Sequence, residues 1–90
     1  MNKKELYQAI YFYFSNVVHA YYLSEGKLEK EYFKYALEEL KEKAKNLGLT
    51  AGADRDGEDI ILFVEKAEEY TVVSTRLNIY TYEDEEMEAQ

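Results

Sequence analysis

The spacing of apolar residues predicts a first helix from Lys3 to Leu23. At about 100° per residue, one stripe collects the apolar side chains that we assign to the core, namely Leu6, Ile10, Phe14, Val17 and Tyr21. Asn2 precedes this stretch and Glu5 follows three positions later, which is the pattern of a capping box at a helix start. The opposite face is polar except for Phe12 and Leu23. We therefore expect this face to make a second contact.

A second helix is predicted over residues 27–47, after a break at residues 24–26 that contains Gly26. Glycine adopts the left-handed conformation that ends many helices at low cost. Apolar positions in the second segment recur every three or four residues, at Phe33, Leu37, Leu40, Ala44 and Leu47. This spacing is typical of a helix that packs on another helix. The two helices should form an antiparallel hairpin that ends at Gly48.

After Gly48 the pattern changes to the alternation of β-strands. Asp56-Gly57 is a strong signal for a hairpin turn, and it lies between a weak strand at residues 49–53 and a strong strand at residues 59–65. Residues 60–64 are apolar on both faces, so we expect them to form the central strand. The low β propensity of residues 51–53 leaves open whether the first strand forms.

A loop at residues 66–69 leads to a predicted long strand at residues 70–82. Alternation directs one set of side chains inward, namely Val73, Thr75, Leu77 and Ile79. The other face then carries Tyr70, Val72, Ser74, Arg76, Asn78, Tyr80 and Tyr82. The predicted fold is a single α+β domain over residues 1–82, in which an N-terminal helical hairpin packs on one face of a three-stranded antiparallel meander (ααβββ). Residues 83–90 are predicted to form a mobile acidic tail.

Charge separates the two halves of the chain. The 90 residues include 11 basic and 19 acidic side chains, a formal net charge of -8. Residues 1–50 hold 8 basic and 7 acidic side chains (net +1), whereas residues 51–90 hold 3 and 12 (net -9). An acidic chain is a poor ligand for phosphate backbones, so we expect no direct nucleic-acid binding and favour a basic protein as the partner. No apolar run reaches the roughly 18 residues of a membrane span, and we expect a cytoplasmic protein without membrane contact.

Few residues are suited to catalysis or cofactor binding. His19 is the single histidine, cysteine is absent, and the chain lacks a glycine-bracketed serine and a phosphate-binding glycine loop. The spacing of Asp54, Asp56 and Glu58 resembles the first three acidic positions of an EF-hand calcium loop. The next residue, Asp59, occupies the position at which that loop needs glycine. We therefore predict no enzyme activity, no metal and no cofactor. Cation binding at this acidic hairpin tip stays open.

The high tyrosine content is the most informative feature of the composition for function, since the chain has ten tyrosines and no tryptophan. A strand face that combines Tyr70, Tyr80 and Tyr82 with Arg76 and Asn78 has the composition of a protein interface. We expect five acidic residues to select the partner by charge, namely Asp54, Asp56, Glu58, Glu68 and Glu69. We predict a non-enzymatic binding module, an acidic inhibitor of a basic protein of the nucleic-acid-mimic, antitoxin, immunity or anti-defence type.

The sequence also fits two other functions. A structural homo-oligomer or adaptor would close its aromatic sheet face on another copy, or would use Phe12, His19 and Leu23 on the first helix. A small-ligand domain would instead enclose an aromatic cavity between helices and sheet, lined by Tyr13, Tyr21 and Phe63. We favour the inhibitor over both alternatives.

Overall fold

The computed structural model describes residues 1–79, and it confirms the ααβββ order. The elements are two helices, α1 (Lys3–Leu23) and α2 (Glu31–Asn46), followed by three strands, β1 (Thr50–Asp56), β2 (Asp59–Lys66) and β3 (Tyr70–Leu77). The strands form one antiparallel sheet in the order β1-β2-β3. Helix α1 packs against β3 and α2 packs against β1, so the hairpin covers one face of the sheet. Tyr80, Tyr82 and the acidic segment 83–90 lie outside the described residues.

Helix α1 has the predicted bounds because both of its ends are specified locally. The Asn2 side chain accepts a hydrogen bond of 2.8 Å from the Glu5 amide, and Glu5 accepts one of 3.4 Å from the Asn2 amide. These two bonds complete the predicted capping box. At the other end Gly26 has a φ of 76°, the left-handed conformation that lets the chain leave the helix.

Helix α2 begins later than the pattern predicts, at Glu31 instead of residue 27. Residues 24–30 are used to cross from one helix axis to the next, which lies about 8 to 10 Å away in packed helices. Leu28 packs against the core from this connection. Lys30 occupies the capping position without a side-chain hydrogen bond.

Strand β1 forms despite its low β propensity, and it extends to Asp56. Ala51 and Ala53 pack against the hydrophobic core, so burial compensates for the weak local preference. The turn is the predicted one: Asp56 pairs with Asp59, and Gly57 has a φ of 64° at the first of the two loop positions. Strand β2 is the central strand, as predicted.

Strand β3 differs from the regular strand expected at residues 70–82. It ends at Leu77 among the described residues, and a bulge shifts its register opposite Val64 and Glu65 of β2. The extra residue reverses the alternation before Val73. As a result Val72, which regular alternation places outward, is buried in the core.

The core lies between the helical hairpin and the sheet. Ile10 and Val17 of α1, Leu40 of α2, and Leu62 and Val64 of β2 each have an exposed fraction of 0%. Burial of these side chains is the main source of stability in a domain of this size.

Candidate protein-binding surfaces

The first candidate surface is the sheet face turned away from the helices, called the open sheet face below. Leu62 and Val64 point into the core, so the β2 residues that alternate with them point outward. The residues of β1 and β3 that pair directly with these outward residues share the same face. These positions are Thr50, Gly52, Asp54, Asp56, Asp59, Ile61, Phe63, Glu65, Thr71, Ser74 and Arg76. The face therefore combines an apolar middle with charged ends.

Phe63 forms the centre of the open sheet face. It pairs with Gly52 on one side and Ser74 on the other, and both neighbours are small. A Cβ atom added at Gly52 would lie 2.9 Å from Cζ of Phe63, so the ring extends across β1 above this glycine. Ile61 is the next outward residue of β2, and it is half-buried like Phe63. Together they form a flat apolar strip.

Arg76 is held by carboxylates within the sheet. Its Nη1 atom lies 2.5 Å from Oδ2 of Asp59 and 3.1 Å from Oδ2 of Asp56, and Asn78 also donates a hydrogen bond to Asp59. The hydrogen bonds from Asn78 and Arg76 lower the pKa of Asp59 below its ordinary value of 3.8. The bond to Asp59, followed by that to Asp56, raises the pKa of Arg76. Both predicted anchors, Arg76 and Asn78, thus bind Asp59 within the chain.

Tyr70 is not on the face that the sequence predicted. The bulge pairs Tyr70 with Lys66 and turns the ring toward the helices, where it packs against the core. Nζ of Lys3, at the start of α1, lies 5.7 Å from the centre of the Tyr70 ring. This distance is within the range of a cation–π interaction. The placement of Tyr70 beside Arg76 was therefore wrong, while Tyr80 and Tyr82 lie outside the described residues.

The predicted acids fall into two groups at opposite ends of the sheet. Asp54, Asp56 and Glu58 lie at the exposed β1–β2 turn, and Glu68 and Glu69 lie at the exposed β2–β3 turn. The eight residues of β2 separate these turns by about 23 Å. Lys66 pairs with Glu69 at 3.5 Å, so part of the charge at the second turn is compensated locally.

The second candidate surface is the side of the helical hairpin turned away from the sheet, called the outer hairpin face below. It contains the three predicted contact residues, Phe12, His19 and Leu23, all exposed. Helix α2 adds Tyr32 and Tyr35, so that an open groove runs between the two helices. The exposed fractions are 66% for Phe12, 57% for Leu23 and 67% for Tyr35. The structure thus brings together apolar side chains from both helices.

Polar contacts orient the two tyrosines of the outer hairpin face. The Tyr32 hydroxyl donates a hydrogen bond of 2.7 Å to the backbone carbonyl of Leu23, at the end of α1. This bond satisfies one of the carbonyl groups that a helix terminus leaves unpaired. A hydrogen bond to Glu39, together with the charge of that carboxylate, raises the pKa of Tyr35 above its ordinary value of 10.0.

Four residues of these surfaces were missed by sequence reasoning. Ile61 and Phe63 were assigned to the central strand without a protein-binding role, because a run that is apolar on both faces does not show which face the helices cover. Tyr32 and Tyr35 carried a usable signal, since with Glu39 they repeat at intervals of three and four residues outside the core stripe of α2. A second helical stripe of this kind indicates a second packing face.

The expected aromatic cavity between helices and sheet does not form. Phe63 lies on the open sheet face, whereas Tyr21 is buried on the helical side and its ring contacts Phe33 at a centroid distance of 6.2 Å. The sheet therefore separates Phe63 from Tyr13 and Tyr21, which both belong to α1. Across residues 1–79, no group of three His, Cys, Asp or Glu side chains is arranged to share a metal ion. Neither described helix has the length and apolarity needed to cross a bilayer.

No protein-family model, curated protein or solved structure matches this chain. The residues of the two surfaces are therefore the basis for the proposed function.

Proposed function

We propose that the protein is a non-enzymatic binding module that captures a basic protein on its open sheet face and acts as an acidic inhibitor of that protein. One observation carries the proposal: Phe63 and Ile61 form an apolar strip between two groups of carboxylates. Of the described residues, Arg76 is the one basic side chain on this face, and Asp56 and Asp59 both bind it. The face thus presents negative charge to a partner.

The apolar strip and the carboxylates have different roles in this proposal. A ring at the centre of an interface supplies most of the binding free energy when a partner covers it. Phe63 suits this role because its ring already lies across Gly52 and loses little conformational freedom on binding. Carboxylates at the two turns accelerate association with a basic protein and exclude acidic ones.

The arrangement of the acids favours a protein partner with cations at two separated positions. Asp56 and Asp59 are engaged with Arg76, which interrupts a continuous row of carboxylates along the sheet. The partner would then place apolar surface on Phe63 and basic groups near the carboxylates of the two turns, which are about 23 Å apart. A cationic cleft that normally accommodates nucleic acid is one surface of this type.

The experiment is affinity capture from a cell extract with the immobilised full chain. We expect wild type to retain basic proteins that elute as the salt concentration rises. Phe63→Ser should lose them, and the double variant Asp54→Asn/Glu58→Gln should elute them at lower salt. Tyr11→Ser is the matched control, because Tyr11 is 53% exposed on α1 and lies on neither candidate surface.

Circular dichroism of each variant shows that the fold is retained. The proposal is wrong if wild type retains no basic protein, or if Phe63→Ser retains the same proteins as wild type with equal strength.

A further inference from the structure

The outer hairpin face exposes apolar side chains from both helices beside one groove. Phe12, Leu23 and Tyr35 are each more than half exposed, at 66%, 57% and 67%. Between the helices the floor of the groove is formed by Ala20 and Ala36, which are buried and small. Leu23 and Tyr35 line this groove together, and exposed apolar side chains grouped in this way mark an interaction site, whereas scattered single residues do not.

The spacing of these residues fits helices as the covering elements. Phe12, Asn16, His19 and Leu23 follow one another along α1 at intervals of four, three and four residues. This is the spacing of a seam between packed helices. The small floor residues allow another helix to approach closely.

We propose that the outer hairpin face binds the same face of a second copy of this chain. The resulting homodimer has a twofold axis near the groove, and a four-helix layer forms its centre. Each sheet then lies on the outside, so that the order of layers is sheet, hairpin, hairpin and sheet. A twofold contact uses the same residues on both copies, so Phe12, Leu23 and Tyr35 of each copy would be buried by the other.

The distribution of charge favours a second copy over a strongly charged partner at this face. Residues 1–50, which contain both helices, have a net charge of +1, whereas residues 51–90 have -9. In the proposed dimer the two acidic sheets are separated by two helical layers, or about 30 Å. This distance is several times the Debye length of about 8 Å at physiological salt, so repulsion between the sheets is screened.

The area of the face is sufficient for a specific dimer. Helix α2 has 16 residues, so the face is about 25 Å long and about 20 Å wide across two helices. Contact over this face buries about 500 Å² per copy, or about 1,000 Å² in total. That value lies at the lower end of specific interfaces and corresponds to a weak dimer.

The first test measures molar mass by light scattering with sedimentation equilibrium. The chain mass is 10.6 kDa, and we expect the average mass of wild type to rise from this value toward twice this value as the chain concentration increases from about 10 µM to about 1 mM. The dimer should persist when salt is raised, because apolar burial is not screened. The double variant Phe12→Gln/Tyr35→Gln should weaken the dimer by about 100-fold in Kd. Tyr11→Gln and Phe63→Ser are matched controls and should remain dimeric.

The second test locates the contact by disulfide crosslinking. The chain has no cysteine, so a single introduced thiol reports one position. His19→Cys lies near the proposed axis, where each residue meets its own copy, and it should crosslink under mild oxidation. Ser74→Cys on the open sheet face should not. A wild-type monomer at about 1 mM, or a dimer that Phe12→Gln/Tyr35→Gln leaves intact, overturns the proposal.

This inference and the proposed function fail separately. Phe63→Ser removes basic-protein capture and leaves the dimer, whereas Phe12→Gln/Tyr35→Gln removes the dimer and leaves capture by the monomer. The two readouts concern opposite sides of the molecule, so neither result can imitate the other.

Discussion

The ring of Phe63 lies across the backbone of Gly52 on the open sheet face. A Cβ atom at Gly52 would be 2.9 Å from Cζ and 3.2 Å from Cε1 of that ring, closer than normal van der Waals contact. An aromatic side chain that covers a glycine of the neighbouring strand compensates for the missing side chain and helps to define strand register. The same contact holds the ring in a defined position for a partner.

Gly52→Ala should displace the Phe63 ring with little loss of stability. The new methyl group occupies the position of the ring tip, so the ring must turn away from β1, and within residues 1–79 no other layer covers the open sheet face to prevent this. We expect the free energy of unfolding to change by less than about 1 kcal/mol, since alanine also reduces the freedom of the unfolded chain. Loss of ring-current shifts at β1 in NMR spectra would show the displacement, and urea unfolding would give the stability.

Gly57→Ala is the informative comparison for this variant. Nothing lies within 4 Å of a Cβ atom at Gly57, but its φ is 64°. Alanine is strained in that conformation, and we expect a loss of about 1 kcal/mol. Equal losses of unfolding free energy in Gly52→Ala and Gly57→Ala would contradict the expectation that the positive φ of Gly57 costs more than the close contact at Gly52.

Leu40→Ala should destabilise the protein strongly. Leu40 is 0% exposed between the two layers, so its truncation removes buried apolar contacts and leaves a cavity. The expected loss is about 3 kcal/mol in the free energy of unfolding. Lys41→Ala, the next residue of α2, is the control and should change stability by less than about 0.5 kcal/mol. Urea titration of both variants decides whether the layer interface carries the stability.

Asp59 should titrate below the ordinary range of an aspartate. Because its pKa is lower in the folded protein than in the unfolded chain, the ionised carboxylate stabilises the fold above the unfolded value of 3.8. This contribution is lost as the pH falls through the folded pKa. Asp59→Asn should therefore show a shallower fall in stability with acid than wild type, measured by urea unfolding from about pH 6 to about pH 2.

Asn78→Ala should raise the pKa of Asp59. The hydrogen bond from Asn78 is the largest cause of the low value, ahead of the bond from Arg76. Removing it favours the protonated carboxyl, so the midpoint should move upward toward 3.8 in a carbon NMR titration of the Asp59 side chain. An unchanged midpoint would show that Arg76 alone sets the titration.

Ser24→Ala should be neutral or stabilising. Ser24 is 1% exposed, and its Oγ atom has no hydrogen-bond partner among the described residues. A buried hydroxyl without a partner has lost its hydration without compensation, so replacing it with a methyl group removes that cost. Thermal unfolding should give a melting temperature equal to or above that of wild type. A loss of more than about 1 kcal/mol would indicate that the hydroxyl is bonded in solution.

The proposed dimer would make the proposed inhibitor bivalent. With the hairpins at the centre, two open sheet faces point away from each other, each with its own Phe63. Such a dimer would bind two basic partners, or two sites on one large assembly, with a higher overall avidity than a single face.

Local sequence patterns predicted the structure correctly wherever residues close together in the chain determine the conformation. The bounds of α1 followed from its apolar stripe and from Asn2 and Glu5, and the first hairpin turn followed from Asp56-Gly57. The bulge in β3 was not predictable in this way, because it arises from the fit of β3 to β2 at Val64. It moved Tyr70 and Val72 to the helical side and thereby changed the composition of the predicted binding face.

The sequence by itself determined the order of helices and strands, the position of the first turn and the separation of charge between the two halves. These features depend on residues close together in the chain, or on composition alone. Tertiary structure decided that Phe63 lies on the open sheet face, that Arg76 is neutralised by Asp56 and Asp59, and that Tyr35 and Leu23 line one groove. Each of these depends on the distance between elements far apart in the chain, and the packing of the two layers sets that distance.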